Sequence, residues 1–317
     1  MGGEPMHIAF CVNDCYAEYI QVPIKGMLDN NNSSPVVVHV LSDYVSEKNK
    51  GKLERLVGVY PNAELDVRIV DDSKLRGLKD TWTIYTWYRV LLPEILDGDV
   101  HRVLYLDADV LVAGNIEDLF SLDMTDKAIA GTVDFQSKDA MTYQRCGYEM
   151  EKEYVCAGVM LMNLDYWREH DVAGKVVKWG RENNDRIKFP DQDAINYICR
   201  DTKILLPLKY DIIDGYFYGD YYYRNYPEEL RECVEAPVII HYAGQAPWVV
   251  ELSKHHLQDE WDKCNKSLDR PVRKVYQSKG FLKFKVIVYR LLHPNLNRRL
   301  TIEEVREEVI GRLDDKS

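Results

Sequence analysis

Cysteine is sparse in this chain of 317 residues and forms no framework. The seven thiols, at positions 11, 15, 146, 156, 199, 233 and 264, are odd in number and irregular in spacing, with no CxxC pair. That argues against a disulfide-framed secreted domain and a zinc ribbon, and for a reducing cytoplasmic setting. No apolar stretch reaches the roughly 18 residues of a membrane span. The opening MGGEPMHIAFCV has no basic region before its short apolar run, so it reads as a first strand rather than a signal peptide. Positive charge is also in deficit: 41 Lys+Arg stand against 52 Asp+Glu, a net −11. A nucleic-acid binder usually carries a basic footprint, so no nucleic-acid partner is expected. With 46% hydrophobic and 29% charged residues, the composition is globular.

The first half alternates strand-like and helix-like segments. Apolar runs at His7–Val12, Val36–Leu41, Leu65–Val70 and Arg102–Leu106 read as strands. Between them, Tyr19–Asn30, Ser46–Val57 and Trp82–Leu92 read as helices, the last stopped by Pro93. This alternation predicts an α/β fold with a mainly parallel sheet. Farther on, Val159–Leu164 and Val238–Tyr242 read as strands, and Tyr166–Arg181 and Pro190–Cys199 as helices. Ligands of such sheets bind outside the carboxyl ends of the strands, which points to Asn13-Asp14 and to Asp107–Asp109.

Asp107 and Asp109 flank Ala108 at the mouth of a buried strand, which makes them the strongest chemical signal. Two like charges this close need a cation between them. A Mg²⁺ or Mn²⁺ ion on phosphate oxygens meets that need. Two chemistries use the pattern: a nucleotide-sugar transferase, and a phosphohydrolase whose first aspartate is the nucleophile. A phosphohydrolase of the haloacid-dehalogenase type carries that aspartate on its first strand. Here three strands come first, which favours the transferase.

Six ordered blocks resemble glycosyltransferase family eight, a family of retaining GT-A enzymes that includes bacterial lipopolysaccharide galactosyl- and glucosyltransferases. They are HIAFCVNDCYA (7–17), YTWYRVLLP (85–93), LYLDAD (104–109), YVCAGVMLMNL (154–164), FPDQDAIN (189–196) and HYAGQAPW (241–248). The resemblance implies a Rossmann-like GT-A sheet flanked by helices. It also implies transfer of glucose or galactose from a UDP-sugar to a glycan or lipid-linked glycan. By the same likeness Asp107, Asp109 and His241 are expected to ligate Mn²⁺ or Mg²⁺. Cys11, Asn13, Asp14, Cys15 and Tyr16 are expected to form the uridine loop, with Tyr16 able to stack on the base. Arg89, Ala108, Cys156, Ala157, Gly158 and Gly244 are assigned to the donor sugar and diphosphate. Asp191 and Gln192 are expected at the reacting face, with Arg89 as the third catalytic residue. An amide is a poor nucleophile, so same-face displacement is expected rather than a covalent intermediate.

The chain departs from the family pattern in three places. The H-x-x-G-x-x-K-P-W block is one residue shorter here and lacks its lysine, for which Lys254 is a candidate substitute. Cys156 and Cys15 stand where asparagine is usual. These changes leave open an alternative: a nucleotide-sugar-binding protein with weak or no transferase activity.

Seven tyrosines crowd Tyr210–Tyr226. They suit either an acceptor cleft or lid, or a loop packed by its own aromatic side chains. From Arg270 to Leu300 there are nine Lys/Arg and no Asp/Glu, interleaved with aromatic and aliphatic residues. This fits an amphipathic helix lying on an anionic membrane surface at the inner face. The expected division is therefore a catalytic domain over 1–269 and a basic C-terminal extension over 270–317. Thr301 and Glu304 have capping-box spacing, which predicts a short terminal helix.

Overall fold

The computed structural model describes residues 4–79, 83–292 and 300–315. Strands β1 (Met6–Cys11), β2 (Val36–Ser42) and β3 (Ala63–Ile69) are joined through helices Gln21–Asn30 and Glu47–Val57. Farther along come β4 (Arg102–Leu106), β5 (Val110–Val112), β6 (Ile129–Gly131), β7 (Val159–Asn163), β8 (Lys203–Leu205), β9 (Ile212–Ile213) and β10 (Ile239–His241). The main sheet has the order β3-β2-β1-β4-β7-β6-β8, and a small sheet has the order β5-β10-β9. In the main sheet only β7 runs against its neighbours, so the sheet is mixed and mainly parallel.

The sheet forms because its strands are apolar on both faces. In β1 and β2, for example, Ile8, Phe10, Val38 and Val40 are buried on one face and Ala9, Cys11 and Leu41 on the other. One face packs against Trp87, Trp167 and Trp179, and the other against Ile24, Met27, Leu53 and Val57. A third cluster, with Tyr216, Tyr222, Trp248 and Trp261, fills the space around the small sheet.

Two predicted helices differ in detail. Residues 80–82 lie outside the described part, and the expected Trp82–Leu92 helix is instead a 3-10 helix over Ile84–Leu91. It passes directly into an α-helix, Leu92–Ile95, so Pro93 opens a turn rather than ending one. The expected Tyr166–Arg181 helix is two helices, Leu164–Glu169 and Val172–Glu182. Asp171, at φ 48°, separates them and caps the second by accepting from the Gly174 N–H.

The two C-terminal helices behave differently. Ile302–Asp314 has the capping box between Thr301 and Glu304. It buries Val305, Val309 and Leu313, and Arg312 donates to the Phe217 carbonyl at 2.9 Å. Gly280–Leu292 instead leaves Leu282, Phe284, Tyr289 and Leu292 exposed. No helix among the described residues is long and apolar enough to cross a membrane.

Candidate active site

Strand register gathers the sequence blocks at one edge. β1 and β4 are parallel, with Ile8 opposite Leu104, so Asn13-Asp14 and Asp107 leave the sheet on the same side. β7 runs antiparallel to β4, with Val159 opposite Leu106, and the Asp107 N–H donates to the Gly158 carbonyl at 2.8 Å. β10 pairs with β5, placing His241 opposite Val110, and the Tyr242 N–H donates to the Asp109 carbonyl at 2.8 Å.

His241 thereby faces the acidic pair. Its Nε2 lies 3.5 Å from Asp109 Oδ1 and 3.9 Å from Asp107 Oδ2. One ligand atom from each of the three residues lies within 4.8 Å of the others. A Cβ at Gly158 would come within 2.3 Å of His241 Cε1 and 2.8 Å of Asp107 Oδ2, so only glycine leaves the cradle clear. Two hard carboxylate oxygens and one imidazole suit Mn²⁺ or Mg²⁺, so the residues fit the expected ion. His241 Nδ1 is 2.8 Å from Asp211 Oδ1, the carboxylate–histidine arrangement that turns the other ring nitrogen toward a metal. Burial opposes charge on His241, but Asp211 and Asp109 outweigh it and hold its pKa well above the ordinary value. The cluster therefore attracts positive charge.

Arg89 is an interior clamp, 3% exposed, rather than a surface ion pair. Its Nη2 bonds Asp107 Oδ1 at 2.9 Å, its Nε lies 3.0 Å from Asp191 Oδ2, and its Nη1 donates to the Ala157 carbonyl. Its guanidinium carbon lies 4.0 Å from the centre of the Tyr105 ring, whose hydroxyl also donates to Asp107. Burial works against ionised Asp107, yet Arg89, His241 and Tyr105 hold its pKa below the usual range. At Asp191 burial prevails over Arg89 and raises the pKa. Gln192 accepts from the Ala157 N–H at 2.9 Å and donates to Asp134 Oδ2 at 3.3 Å. Burial lifts the Asp134 carboxyl to about 6, despite the Gln136 N–H that bonds it.

In the first loop the side chains of Asn13 and Asp14 are engaged locally. Asn13 accepts from the Tyr16 N–H at 2.9 Å, and Asp14 from the Ser46 N–H at 2.8 Å. Cys11 is buried beneath the loop, and Cys15 is exposed. Tyr16 meets Trp248 edge-on at 5.5 Å, and Trp248 stacks on Tyr19 at 4.3 Å, tying this loop to the C-terminal block. Tyr16 stays 43% exposed, which leaves ring surface open to a base. Cys156 is buried with its sulfur 3.7 Å from His241 Nδ1. Ala108 is half-buried between the two carboxylates. Gly244, at φ 70°, has no atom within 4 Å of the place its Cβ would take. The following Gln245 is braced by Asp214 at 2.8 Å and by the Lys254 N–H at 3.1 Å, which brings exposed Lys254 beside the loop.

Sequence reasoning missed Asp211 and Asp134. The strand-end rule applied to β6 would have found Asp134. Asp211 carries no such signal, because its role depends on His241 of β10. Most of the tyrosine segment packs inward: the hydroxyls of Tyr216 and Tyr222 donate to the carbonyls of Val133 and Asp134.

A mainly parallel sheet with an acidic pair at its carboxyl edge, facing a histidine from a small second sheet, defines a GT-A glycosyltransferase. The chain belongs to glycosyl transferase family 8, whose sequence pattern matches residues 7–250. It is 24% identical over 251 residues to a lipopolysaccharide 1,2-glucosyltransferase of Escherichia coli, covering 77% of this chain and 74% of that protein. It is 26% identical over 284 residues to a lipopolysaccharide 1,3-galactosyltransferase of Salmonella typhimurium, covering 82% and 80%. The structure of the galactosyltransferase LgtC with donor and acceptor sugar analogs superposes with a TM-score of 0.73 at 26% identity, covering 83% of this chain and 96% of that one.

Proposed function

We propose that this protein is a metal-dependent retaining hexosyltransferase that moves glucose or galactose from a UDP-sugar to a glycan or lipid-linked glycan. The observation that carries the reading is the convergence of Asp107, Asp109 and His241 within 4.8 Å, in a cradle that only glycine at 158 permits. These three residues would hold Mn²⁺ or Mg²⁺, which when bound supplies positive charge to the departing diphosphate. Tyr16 stacks on the uracil in this reading, and Gly244 lets the backbone approach the diphosphate. Lys254, whose backbone N–H braces Gln245, is the candidate cation for the diphosphate.

Arg89 spans Asp107 and Asp191, so it sets the position of the sugar-binding carboxylate relative to the diphosphate. Asp191 accepts hydrogen bonds from donor hydroxyls. Gln192 is held at both ends by Ala157 and Asp134, which suits an orienting amide better than a nucleophile. The acceptor oxygen therefore bonds to C1 on the face the diphosphate leaves, and its proton passes to the diphosphate.

Incubating the protein with Mn²⁺, UDP-glucose or UDP-galactose and candidate acceptors tests this. UDP release is expected; nucleotide-sugar binding with no turnover would favour the binding-protein alternative.

The same proposal places the enzyme at the cytoplasmic face of a membrane. Helix Gly280–Leu292 presents Leu282 and Phe284, each 60% exposed, beside Lys283 and Lys285. Helix Ile302–Asp314 clasps this extension to the body. Truncation would strip that clasp, so the test is Leu282→Asp with Phe284→Asp. Binding to vesicles containing phosphatidylglycerol should fall with UDP release unchanged; equal vesicle binding overturns the membrane role.

A further inference from the structure

The imidazole of His241 has two occupied sides. Nε2 faces the acidic pair, while Nδ1 faces a separate set of ligand-type atoms. Cys156 Sγ lies 3.7 Å from Nδ1, and Asp211 Oδ1 lies 2.8 Å from it. One ligand atom from each of Cys156, Asp211 and His241 lies within 4.8 Å of the others, and all three residues are buried. Thr132 Oγ1 stands behind them, 3.4 Å from Asp211 Oδ2.

This donor set differs in kind from the one in front. A thiolate, an imidazole and a carboxylate select a thiophilic or borderline ion such as Zn²⁺ over Mg²⁺. Zinc holds such ligands at about 2.0–2.3 Å, so tetrahedral coordination requires the N···O separation to open by roughly half an ångström. The N···S separation is already close to what such an ion needs.

We propose that Cys156, Asp211 and His241 Nδ1 form a second metal site for a thiophilic divalent ion, and that filling it withdraws His241 from the acidic pair. Binding breaks the Cys156 S–H and His241 Nδ1–H bonds and forms three ion–ligand bonds, with no change of oxidation state. The thiol proton and the Nδ1 proton both leave to solvent. The neutral ring then carries its one proton on Nε2, where no lone pair remains for an ion held by Asp107 and Asp109. The protein thus carries a built-in route to inhibition by zinc-class ions, through a residue shared by two sites.

Absorption of Co²⁺ or Cd²⁺ titrated into the full chain tests the site, because a thiolate ligand gives a near-ultraviolet charge-transfer band. Exposed Cys15 is first replaced, as Cys15→Ser, to remove its background. The band should saturate at one ion per chain, be chased by Zn²⁺ but not by Mg²⁺, and vanish on adding Cys156→Ser. No band in the Cys15→Ser chain, or an undiminished band after Cys156→Ser, overturns the site. Should Cys156→Ser fail to fold, cadmium-113 resonance of the Cys15→Ser chain decides: a sulfur-shifted signal supports the site, and a purely oxygen/nitrogen signal rejects it. Manganese paramagnetic resonance reads the coupling. A saturating soft ion should weaken Mn²⁺ binding at least about tenfold more in the Cys15→Ser chain than with Cys156→Ser added, and equal weakening overturns the coupling. None of these readouts uses a sugar nucleotide, so their failure leaves the transferase reading standing.

Discussion

Asp193 and the Asp107–Asp109 pair are two acidic sites of this molecule, and they differ in what completes them. Asp193 is fully buried and fully satisfied. Its carboxylate meets Arg145 at 3.0 and 3.1 Å, the Tyr154 hydroxyl at 2.7 Å, and the N–H groups of Lys188 and Phe189 at 2.8 and 3.1 Å. Asp107 and Asp109 instead converge on His241 at 3.9 and 3.5 Å, partly open and too loosely spaced to complete one another. A carboxylate that finds every partner within the protein holds structure. Carboxylates that converge without completing each other are arranged for a ligand.

Substitutions should separate the two clusters. The largest effect is expected at Asp193: Asp193→Ala leaves Arg145 without its partner and should cost about 3–5 kcal/mol of stability in urea unfolding. A loss below about 1 kcal/mol would place Asp193 outside the structural class. Asp109→Asn should do the reverse, lowering UDP release by about 10²–10³-fold while the urea midpoint hardly moves. Gly158→Ala sharpens the contrast by pressing a methyl group on His241 and Asp107. Mn²⁺ affinity should fall by about 10–100-fold, measured by calorimetry on the folded variant.

A smaller effect concerns a third polar group, which runs across β1, β2 and β3. His7 Nδ1 lies 2.8 Å from His39 Nε2, and His39 Nδ1 lies 2.8 Å from Asp66. Burial lowers the pKa of both histidines; His39 lowers it further at His7, while Asp66 only partly offsets burial at His39. A histidine pKa that is lower folded than unfolded gives stability that is full above about 6.5 and is lost as pH falls toward the folded value. Stability should therefore decline below pH of about 6.5, with a slope of at most about 1.4 kcal/mol per pH unit per histidine. Urea unfolding at several pH values checks this, and His39→Asn should flatten the slope.

Much of this architecture is legible from local pattern. Apolar runs marked β1, β2, β4 and β7, and the acidic pair stood out because it follows one of them. Thr301 signalled its helix start by capping-box spacing, whereas the Ser46 cap shows only in the structure. What escaped depends on contacts between distant segments. Asp211 matters because β9 pairs with β10 beside His241, and the isolated tyrosine-rich segment gives no sign of it. Arg89 is recognisable as a cation, but its role as a clamp between Asp107 and Asp191 exists only once β4 and helix Pro190–Ile198 are brought together. The break at Asp171 likewise reflects a left-handed backbone within a run that looks helical throughout.

Calorimetric titration of UDP into the full chain, with and without Mn²⁺, tests the central claim most directly. One UDP per chain should bind with Mn²⁺ present, and this binding should be lost both without the ion and in Asp109→Asn. Equal UDP binding with and without the ion, and in the variant, would contradict a metal-held diphosphate at Asp107, Asp109 and His241.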